Sequence, residues 1–387
     1  MSKLKFCNLA RILAKSALAA CSLLLASSSL PRASGDPPTD VGLLQLDNGQ
    51  ITLGLKRDSG GAIAWVSASG SQRNLVNAYD RGRLIQQSYY GQRDGSLWNG
   101  KPWRWNPVQG GDWRGNPAKI LEMRSTPTTA YVKSLPKHWA SGEDLTSTTM
   151  EQWIRLDGQL AHIRYRFTQQ SGRDHPVQHQ ELPAVFVDSA LSWLVVYSGD
   201  APWSGGALER SQPGWPNESR EMTEHWAAYV DDEDFGLGVY VPVAQRLTCY
   251  RFGKDGNAPD ACSYLAPLGE FAISADFQWQ YDVALSIGKV AQLRERFAKL
   301  AAKHVATRFL AAMRLSFAFR CESKLPVAQK QGSGQQISGR HDEQHENVPA
   351  GAFQSEVRQQ DWIAIGQTRI HFHAANQDAA ESVLDRY

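Results

Sequence analysis

The sequence predicts a mainly β protein: a large antiparallel β-sandwich with one C-terminal helix and a poorly ordered tail. Between residues 277 and 287, six apolar side chains recur at strict period two: Phe277, Trp279, Tyr281, Val283, Leu285 and Ile287. This pattern is typical of a strand with one buried face. The dipeptide Asp157-Gly158 separates two alternating runs, 148–156 and 159–168. Asp-Gly in that position indicates a β-hairpin.

Further short strand patterns occur along the chain, and one helical pattern follows them. Short strand patterns separated by Gly, Pro, Asn and Asp cover 50–55, 62–67, 184–187, 191–197, 226–230 and 235–241. Short strands at this density favour a sandwich. From residue 289 the spacing changes, and Val290, Leu293, Phe297 and Leu300 recur at the interval of one helix face. The sequence thus predicts one helix after the last strand.

The two ends of the chain differ from its centre. We expect 1–35 to be a signal peptide, 36–320 to be the β-sandwich domain, and 321–387 to be a linker and tail. Residues 322–350 include the Gln-, Gly- and Ser-rich stretch 330–336. Such a composition offers little apolar surface to bury, which is typical of a linker or a disordered segment.

The N-terminal segment has the pattern of a secretory signal. Four basic residues within 1–15 precede a short apolar run and the small-residue sites 26–28 and 33–35. The apolar run is too short to span a bilayer, so we expect a secreted or periplasmic protein without a transmembrane span. Leu18-Ala-Ala-Cys21 also resembles a lipoprotein cleavage site. Soluble export is preferred over a lipid anchor at Cys21, because a cut there would leave an apolar region of only a few residues.

The charge balance argues against a nucleic-acid partner. The chain has 41 Lys and Arg against 39 Asp and Glu, and five of the basic residues lie within 1–35. Without that segment, 36 basic and 39 acidic residues would remain. No basic excess is left to attract nucleic acid or an anionic membrane surface.

Cysteine spacing predicts one disulfide. Cys249 and Cys262 lie on two strand-like runs that flank the turn-rich loop 253–260. In an oxidising compartment such a pair is expected to form a bond; two buried free thiols are the alternative. No metal-binding or cofactor-binding motif is present, and we expect neither a metal nor a cofactor.

Residues 79–115 are the segment most suggestive of a binding site. Aromatic rings alternate there with amides, charged groups and glycines, as expected of a carbohydrate site, where rings stack on sugar C–H faces and polar groups bond hydroxyls. The glycines and prolines argue for a long ordered loop, which is usually functional. Alternatively, Trp103 and Trp105 plug one end of the sandwich. The predicted substrate-binding residues are Arg83, Gln87, Trp98, Trp103, Trp105, Gln109 and Trp113.

Two glutamates next to histidines are the candidate catalytic groups. Glu181 follows His179 at the start of a buried strand, and Glu224 precedes His225 at the start of another. Glu181 and Glu224 could form the carboxyl pair of a glycoside hydrolase, with the histidines tuning them; structural ion pairs are the alternative. A polysaccharide lyase would instead use Tyr90 or a His as base, and Arg83 to neutralise a uronate.

The order of strand motifs resembles a known fold. Trp226-Ala-Ala-Tyr-Val230, Phe235-Gly-Leu-Gly-Val-Tyr240 and Tyr264-Leu-Ala-Pro-Leu268, together with the Asp-Gly hairpin, look like the galactose-mutarotase-like β-super-sandwich over roughly 42–300. The resemblance implies aldose epimerases, polysaccharide lyases or glycoside hydrolases, and fold does not fix function. We therefore expect an exported carbohydrate-active protein whose partner is a polysaccharide or oligosaccharide. It would be a glycoside-hydrolase-like enzyme; a lyase, an epimerase and a non-catalytic glycan-binding envelope protein are the alternatives.

Overall fold

A computed structural model describes residues 42–253, 258 and 260–304. The predicted signal peptide, Cys21, the linker and the tail lie outside these residues, and those expectations stay predictions. The described residues form 21 strands, one short 3-10 turn (Arg57–Ser59) and a helix, α1, over 290–304. No helix within this part of the chain has the length and apolar character needed to cross a bilayer.

The strands run in chain order as β1 (Leu43–Asp47), β2 (Ile51–Lys56), β3 (Ile63–Ala68), β4 (Ile85–Ser88), β5 (Arg93–Trp98), β6 (Lys101–Arg104), β7 (Pro107–Val108), β8 (Lys119–Ser125), β9 (Thr129–Leu135), β10 (Lys137–His138), β11 (Thr148–Asp157), β12 (Leu160–Gln169), β13 (His175–Asp188), β14 (Trp193–Val196), β15 (Glu209–Ser211), β16 (Glu218–Glu221), β17 (Trp226–Val230), β18 (Phe235–Tyr240), β19 (Arg246–Phe252), β20 (Cys262–Ile273) and β21 (Phe277–Lys289).

Two large antiparallel sheets make the sandwich. The ten-stranded sheet has the order β1-β2-β3-β4-β13-β20-β19-β16, with β7 joined to β4 and β10 to β7. The nine-stranded sheet has the order β15-β14-β17-β18-β21-β12-β11-β9-β8. Strands β5 and β6 form a separate hairpin. The mainly β sandwich and the helix that follows its last strand are confirmed, as is the Asp-Gly hairpin, which joins β11 to β12.

The main core lies between the two large sheets. Each sheet turns one face inward, which we call its inner face; examples are Val185 and Leu265 on one sheet and Ile163 and Leu285 on the other. The period-two prediction for β21 is confirmed, because Tyr281, Val283, Leu285 and Ile287 are buried, while Phe277 and Trp279 pack partly buried at the core edge.

Helix α1 covers part of the outer face of the nine-stranded sheet. Leu293 and Phe297 are fully buried there, and the Phe297 ring packs on Trp226 and Tyr240. The apolar residues whose spacing predicted the helix thus form the face that the helix buries. The outer face of the ten-stranded sheet lies on the opposite side of the molecule.

The predicted disulfide is absent, and both thiols are free. Cys249 pairs with Leu265 across β19 and β20, whereas Cys262 pairs with Phe252. The two cysteines are therefore three residues out of register, about 10 Å along the strands. Because three is an odd offset, Cys249 points to the inner face and Cys262 to the outer face. A bond would need sulfur atoms on the same side of the sheet.

The prediction of an irregular loop over 79–115 is also corrected. The segment contains β4, the β5–β6 hairpin and β7. Asn99 and Gly100 have positive φ values of 49° and 75° at the hairpin tip. Asn and Gly tolerate this region of backbone space, as two-residue hairpin turns require. Gly100 thus forms part of the hairpin turn, and the glycines of this segment do not prevent strands from forming.

Candidate functional site

A cavity of about 700 Å³ lies on the outer face of the ten-stranded sheet. Its floor is formed by alternate side chains of four neighbouring strands, β4, β13, β20 and β19. Glu181 from β13 and Tyr264 from β20 occupy the two central strands. Four tryptophans contribute to the walls: Trp98, Trp103, Trp139 and Trp215. The cavity combines aromatic surface with a few polar groups, which is the usual composition of a small-molecule site.

An irregularity in β13 determines which way Glu181 points. Glu181 and Ala184 both face the cavity, although an odd separation of three would place them on opposite faces of a regular strand. The register of β13 shifts between these two residues, opposite both β4 and β20. A bulge of this kind resets the alternation of side chains. Glu181 and Ala184 therefore both enter the cavity, while Leu182 and Val185 both enter the core.

Glu181 and two tyrosines form what we call the carboxyl–phenol cluster: Glu181, Tyr90 and Tyr264. The Tyr90 hydroxyl donates to Oε1 of Glu181 over 3.0 Å, and the Tyr264 hydroxyl donates to the same oxygen. The Glu181 side chain is buried. Two phenol donors can satisfy one carboxyl oxygen in either protonation state, because each oxygen has two lone pairs.

Burial shifts all three groups toward their neutral forms. Desolvation raises the pKa of Glu181, and hydrogen bonds from Tyr264, Ser88 and Tyr90 offset part of that shift. Desolvation, followed by the nearby Glu181 carboxylate, raises the pKa values of both Tyr90 and Tyr264 well above their ordinary value. The phenols are thus hydrogen-bond donors at neutral pH. A carboxyl with a raised pKa in a cavity is a candidate proton donor or acceptor.

Three indoles make one side of the cavity, which we call the tryptophan wall: Trp98, Trp103 and Trp139. The ring centroids of Trp98 and Trp103 lie 4.7 Å apart, and those of Trp98 and Trp139 lie 6.3 Å apart. Trp98 and Trp103 belong to the β5–β6 hairpin, whereas Trp139 directly follows β10. Two separate chain segments therefore meet to form this wall.

A buried imidazole connects those two segments. His138 in β10 accepts backbone hydrogen bonds from Ala140 and Ser141 at Nδ1, over 3.1 Å and 3.2 Å. Its other nitrogen, Nε2, lies 2.7 Å from Oδ2 of Asp94 in β5. Because Nδ1 is an acceptor, the proton of the neutral ring is on Nε2, and it is donated to the Asp94 carboxylate.

The opposite side of the cavity is also aromatic, and we call it the Trp215 wall: Trp215, Tyr250 and Phe252. The Trp215 indole is 59% exposed and packs edge-on against Tyr250, with centroids 4.7 Å apart, and against Phe252, at 5.3 Å. Trp215 precedes β16, and the other two rings stand on β19. The wall thus lies across the central strands from the tryptophan wall.

Arg83 is the basic residue among the described residues that line the cavity. Its guanidinium lies 3.5 Å from the Asp80 carboxylate and 3.9 Å from that of Asp260. It also lies over the rings of Tyr79 and Phe252, at 5.2 Å and 5.8 Å from their centroids. Its charge is therefore balanced by carboxylates of the cavity itself.

Five of the residues predicted from the sequence line this cavity: Arg83, Tyr90, Trp98, Trp103 and Glu181. Their roles in binding or catalysis stay predictions. Trp139, Trp215 and Tyr264 are among the lining residues that were not predicted. The alternation of Cys262, Tyr264 and Ala266 along β20 is visible in the sequence, but it does not tell which face is the outer one.

Three predicted binding residues lie between the sheets, which corrects their assignment. Gln87 donates to the Glu151 carbonyl and Gln109 donates to the Gly60 carbonyl, and both side chains are buried. Trp105 is 7% exposed and stacks on His175. These side chains are oriented inward by strand alternation and the turn after β6, so they cannot contact a ligand in the cavity.

Three further predicted residues lie apart from the cavity. The Trp113 indole donates to the Ala140 carbonyl. His179 lies on the exposed part of β13, with Nε2 3.8 Å from Glu270. His225, at a positive φ of 60° before β17, has Nδ1 2.8 Å from the Ala244 carbonyl oxygen. None of the three is a cavity-lining residue.

Glu224 is a structural group, and the predicted pairing with Glu181 is wrong. It is fully buried and accepts two hydrogen bonds from Arg294 of α1, over 2.6 Å and 2.9 Å, and one from the Trp226 indole. It therefore lies on the helix-covered side of the nine-stranded sheet, with both sheets between it and Glu181. Packed sheets alone are about 10 Å apart, so the two carboxyls cannot act on one bond.

Within 42–253, 258 and 260–304, no cluster of three or more His, Cys, Asp and Glu side chains is arranged to hold a metal ion. The chemistry that the cavity offers is that of carboxyl, phenol and indole groups. Together they can bind a polar ligand with apolar faces and exchange a proton with it.

Comparison with known proteins gives matches of structure alone. No protein-family model and no curated protein sequence matches the chain. Among solved structures it is similar to a galactose mutarotase-like protein from Lactobacillus casei, with 11% identity and a TM-score of 0.43 over 64% of this chain and 100% of that one. A galactose mutarotase related enzyme from Lactobacillus acidophilus has 12% identity and a TM-score of 0.42, over 64% and 97%. A 4-alpha-glucanotransferase from Thermococcus litoralis has 13% identity and a TM-score of 0.38, over 63% of this chain and 37% of that one. The likeness concerns the fold, and the first two proteins bear the name of the class that the sequence resembles.

Proposed function

We propose that this protein binds a carbohydrate in the cavity on the ten-stranded sheet and acts on it by proton transfer through Glu181. The observation that carries the proposal is the carboxyl–phenol cluster, a buried carboxyl with a raised pKa on the floor of an aromatic cavity. Indole faces suit the C–H faces of a sugar, and a carboxyl and phenols suit its hydroxyls.

In this proposal Glu181 has two roles according to its protonation state. Protonated, it donates to a sugar oxygen as the bond from carbon to that oxygen breaks; ionised, it then takes the proton of the hydroxyl or water whose oxygen forms the new bond to that carbon. Tyr90 and Tyr264 hold the carboxyl in place and stabilise its charged form by donating to Oε1. A second carboxylate of the kind that hydrolases use is not supplied by Glu224, so the support is for single-carboxyl acid–base chemistry.

The test is a panel of monosaccharides and polysaccharides incubated with the wild type and with Glu181→Gln. Reducing ends, unsaturated products and optical rotation are recorded together, because they report hydrolysis, elimination and epimerisation respectively. We expect one signal from the wild type, and a loss of about 100-fold or more in Glu181→Gln, the contribution typical of general acid–base catalysis. Glu270→Gln, an exposed glutamate outside the cavity, is the matched control and should keep full activity.

A second candidate is a glycan-binding protein without catalysis. It is favoured by the convergence of both phenol hydrogen bonds on one oxygen of Glu181, since this is also how a purely structural buried carboxyl is satisfied. The same panel separates the two candidates. Binding without any product, unchanged by Glu181→Gln, would favour the second.

We also propose export across a membrane, on the strength of the signal-like residues 1–35. Mass spectrometry of the protein from an expressing host should then find a first residue between about 27 and 37. An intact Met1, or a lipid on Cys21, would contradict soluble export.

A further inference from the structure

The two aromatic walls stand on opposite sides of the carboxyl–phenol cluster. The tryptophan wall is built from the hairpin that follows β4 and from the turn after β10, which is joined to β4 through β7. The Trp215 wall is built on β19 and on the segment before β16. Strands β13 and β20, which carry Glu181 and Tyr264, run between β4 and β19 in the sheet. The acid–base group is therefore central, with stacking surfaces on either side.

The strands on either side of the cluster are further apart than one sugar ring is wide. Three inter-strand steps of about 4.8 Å separate β4 from β19, a span of about 14 Å. A six-membered ring made of bonds of about 1.5 Å is only about 3 Å between opposite ring atoms. A sugar that stacks at one side of this span therefore leaves room for further units toward the other side.

Each wall contains one indole that is exposed to solvent. Trp215 is 59% exposed and Trp98 is 37% exposed. Large aromatic rings left in water at a cavity rim are unfavourable for the free protein and mark interaction surfaces. Both rings face the same cavity. A ligand that covered only one would leave the other exposed.

The charges of the cavity restrict the ligand further. Arg83, the lining residue that could attract an anion, is already engaged by Asp80 and Asp260. Together with Glu181, these carboxylates give the cavity more acidic than basic groups. A uronate or sulfated sugar would be repelled by them without gaining a free cation.

We propose that the cavity binds an uncharged oligosaccharide chain that crosses the strands, with sugar rings stacked on the tryptophan wall and on the Trp215 wall and the ring between them at Glu181. This rests on the proposed function and adds the substrate class to it: a chain of at least three sugar units rather than a free monosaccharide. It also assigns Trp215 as a residue that selects for chain length.

The test is binding as a function of chain length, measured by calorimetry on the full-length protein with neutral oligosaccharides of one to six units from the panel polymer that binds. Affinity should rise with length and level off once both walls are covered. Trp215→Ala and Trp98→Ala should each weaken the longest chain by about fivefold or more, as loss of an anchoring aromatic contact does, and should affect the monosaccharide less than the chain. Trp153→Ala, which removes an indole on the nine-stranded sheet, is the matched control and should change neither.

The outcomes separate this inference from the proposed function. If the monosaccharide binds as tightly as the hexamer and Trp215→Ala changes neither, while Glu181→Gln still abolishes turnover, the two-wall chain is overturned and the proposed function stands. If no sugar of any length or charge binds, both fail. A uronate chain of matched length that binds more tightly than the neutral chain would overturn the assignment of an uncharged ligand.

Discussion

Oδ2 of Asp94 lies 2.7 Å from Nε2 of His138, and this polar contact connects the hairpin that carries Trp98 and Trp103 with the turn that carries Trp139. His138 is almost fully buried, and its other nitrogen is already committed to two backbone amides. The pair therefore fixes the relative position of the three indoles without touching the cavity itself. It is a positioning contact for the tryptophan wall.

We expect Asp94→Ala to lower the free energy of unfolding by about 1–3 kcal/mol, because it leaves a buried imidazole N–H without an acceptor. The measurement is denaturant unfolding, followed by glycan binding. Asp94→Asn, which can still present an oxygen, is the control and should retain more of both. Equal losses in the two variants would show that the wall does not depend on this acceptor.

The raised pKa of Glu181 predicts how stability varies with pH. Since its folded-state pKa lies above the unfolded value, the folded state binds more protons between the two, and stability falls as pH rises through that window. Glu181→Gln cannot ionise, so its free energy of unfolding should decline less than that of the wild type from about pH 4.5 upward. Parallel stability curves for the two proteins would contradict the raised pKa.

The pKa of Asp94 is shifted in the opposite direction, and so is its effect on stability. Burial raises its pKa, but hydrogen bonds from Ser96 and His138 outweigh burial and leave it lowered. Its contribution to stability should therefore be present at neutral pH and be lost as pH falls below about 4. Glu181→Gln removes the titration of Glu181 and leaves that of Asp94. Its free energy of unfolding, measured both below and above about pH 4, therefore separates the contributions of the two carboxyls.

The two thiols should behave as buried free cysteines. Burial raises the pKa of Cys249 to about 12 and also raises that of Cys262. Because the thiolate is the reactive form, neither should be alkylated in the folded protein at neutral pH. Both should react once the chain is unfolded without reductant, as read by peptide mass spectrometry. A crosslinked peptide containing both residues would show that the disulfide forms after all.

The Glu224–Arg294 pair should matter for stability and not for binding. Glu224→Gln leaves the guanidinium with an uncharged partner in a buried site, and removing one partner of a buried pair costs about 3–5 kcal/mol. The exposed pair between Arg164 and Asp282, at 2.7 Å, is the control, and Asp282→Asn should cost less than about 1 kcal/mol. Loss of glycan affinity in folded Glu224→Gln would reopen a functional role for Glu224.

Local patterns in the sequence determined most of the strands. The alternation in 277–287 and the Asp-Gly turn each depend on residues that are neighbours in the chain, and both are confirmed. The spacing of Val290, Leu293 and Phe297 determined the helix for the same reason. Three residues of the aromatic segment, Trp98, Trp103 and Tyr90, line the cavity, and their predicted roles stay predictions.

Only the tertiary structure decided which of those side chains share a site. Glu181 and Glu224 look alike in the sequence, each beside a histidine at a strand start, yet they lie on opposite sides of the sandwich. Trp103 and Trp105 are two residues apart, yet one lines the cavity and the other is in the core. The physical reason is that a register shift, as in β13, changes the face of the residues that follow it, and an odd offset between two strands, as between Cys249 and Cys262, places two residues on opposite faces. Such offsets are set by pairing with distant strands, so the chain determined its strands, whereas the sheets determined its site.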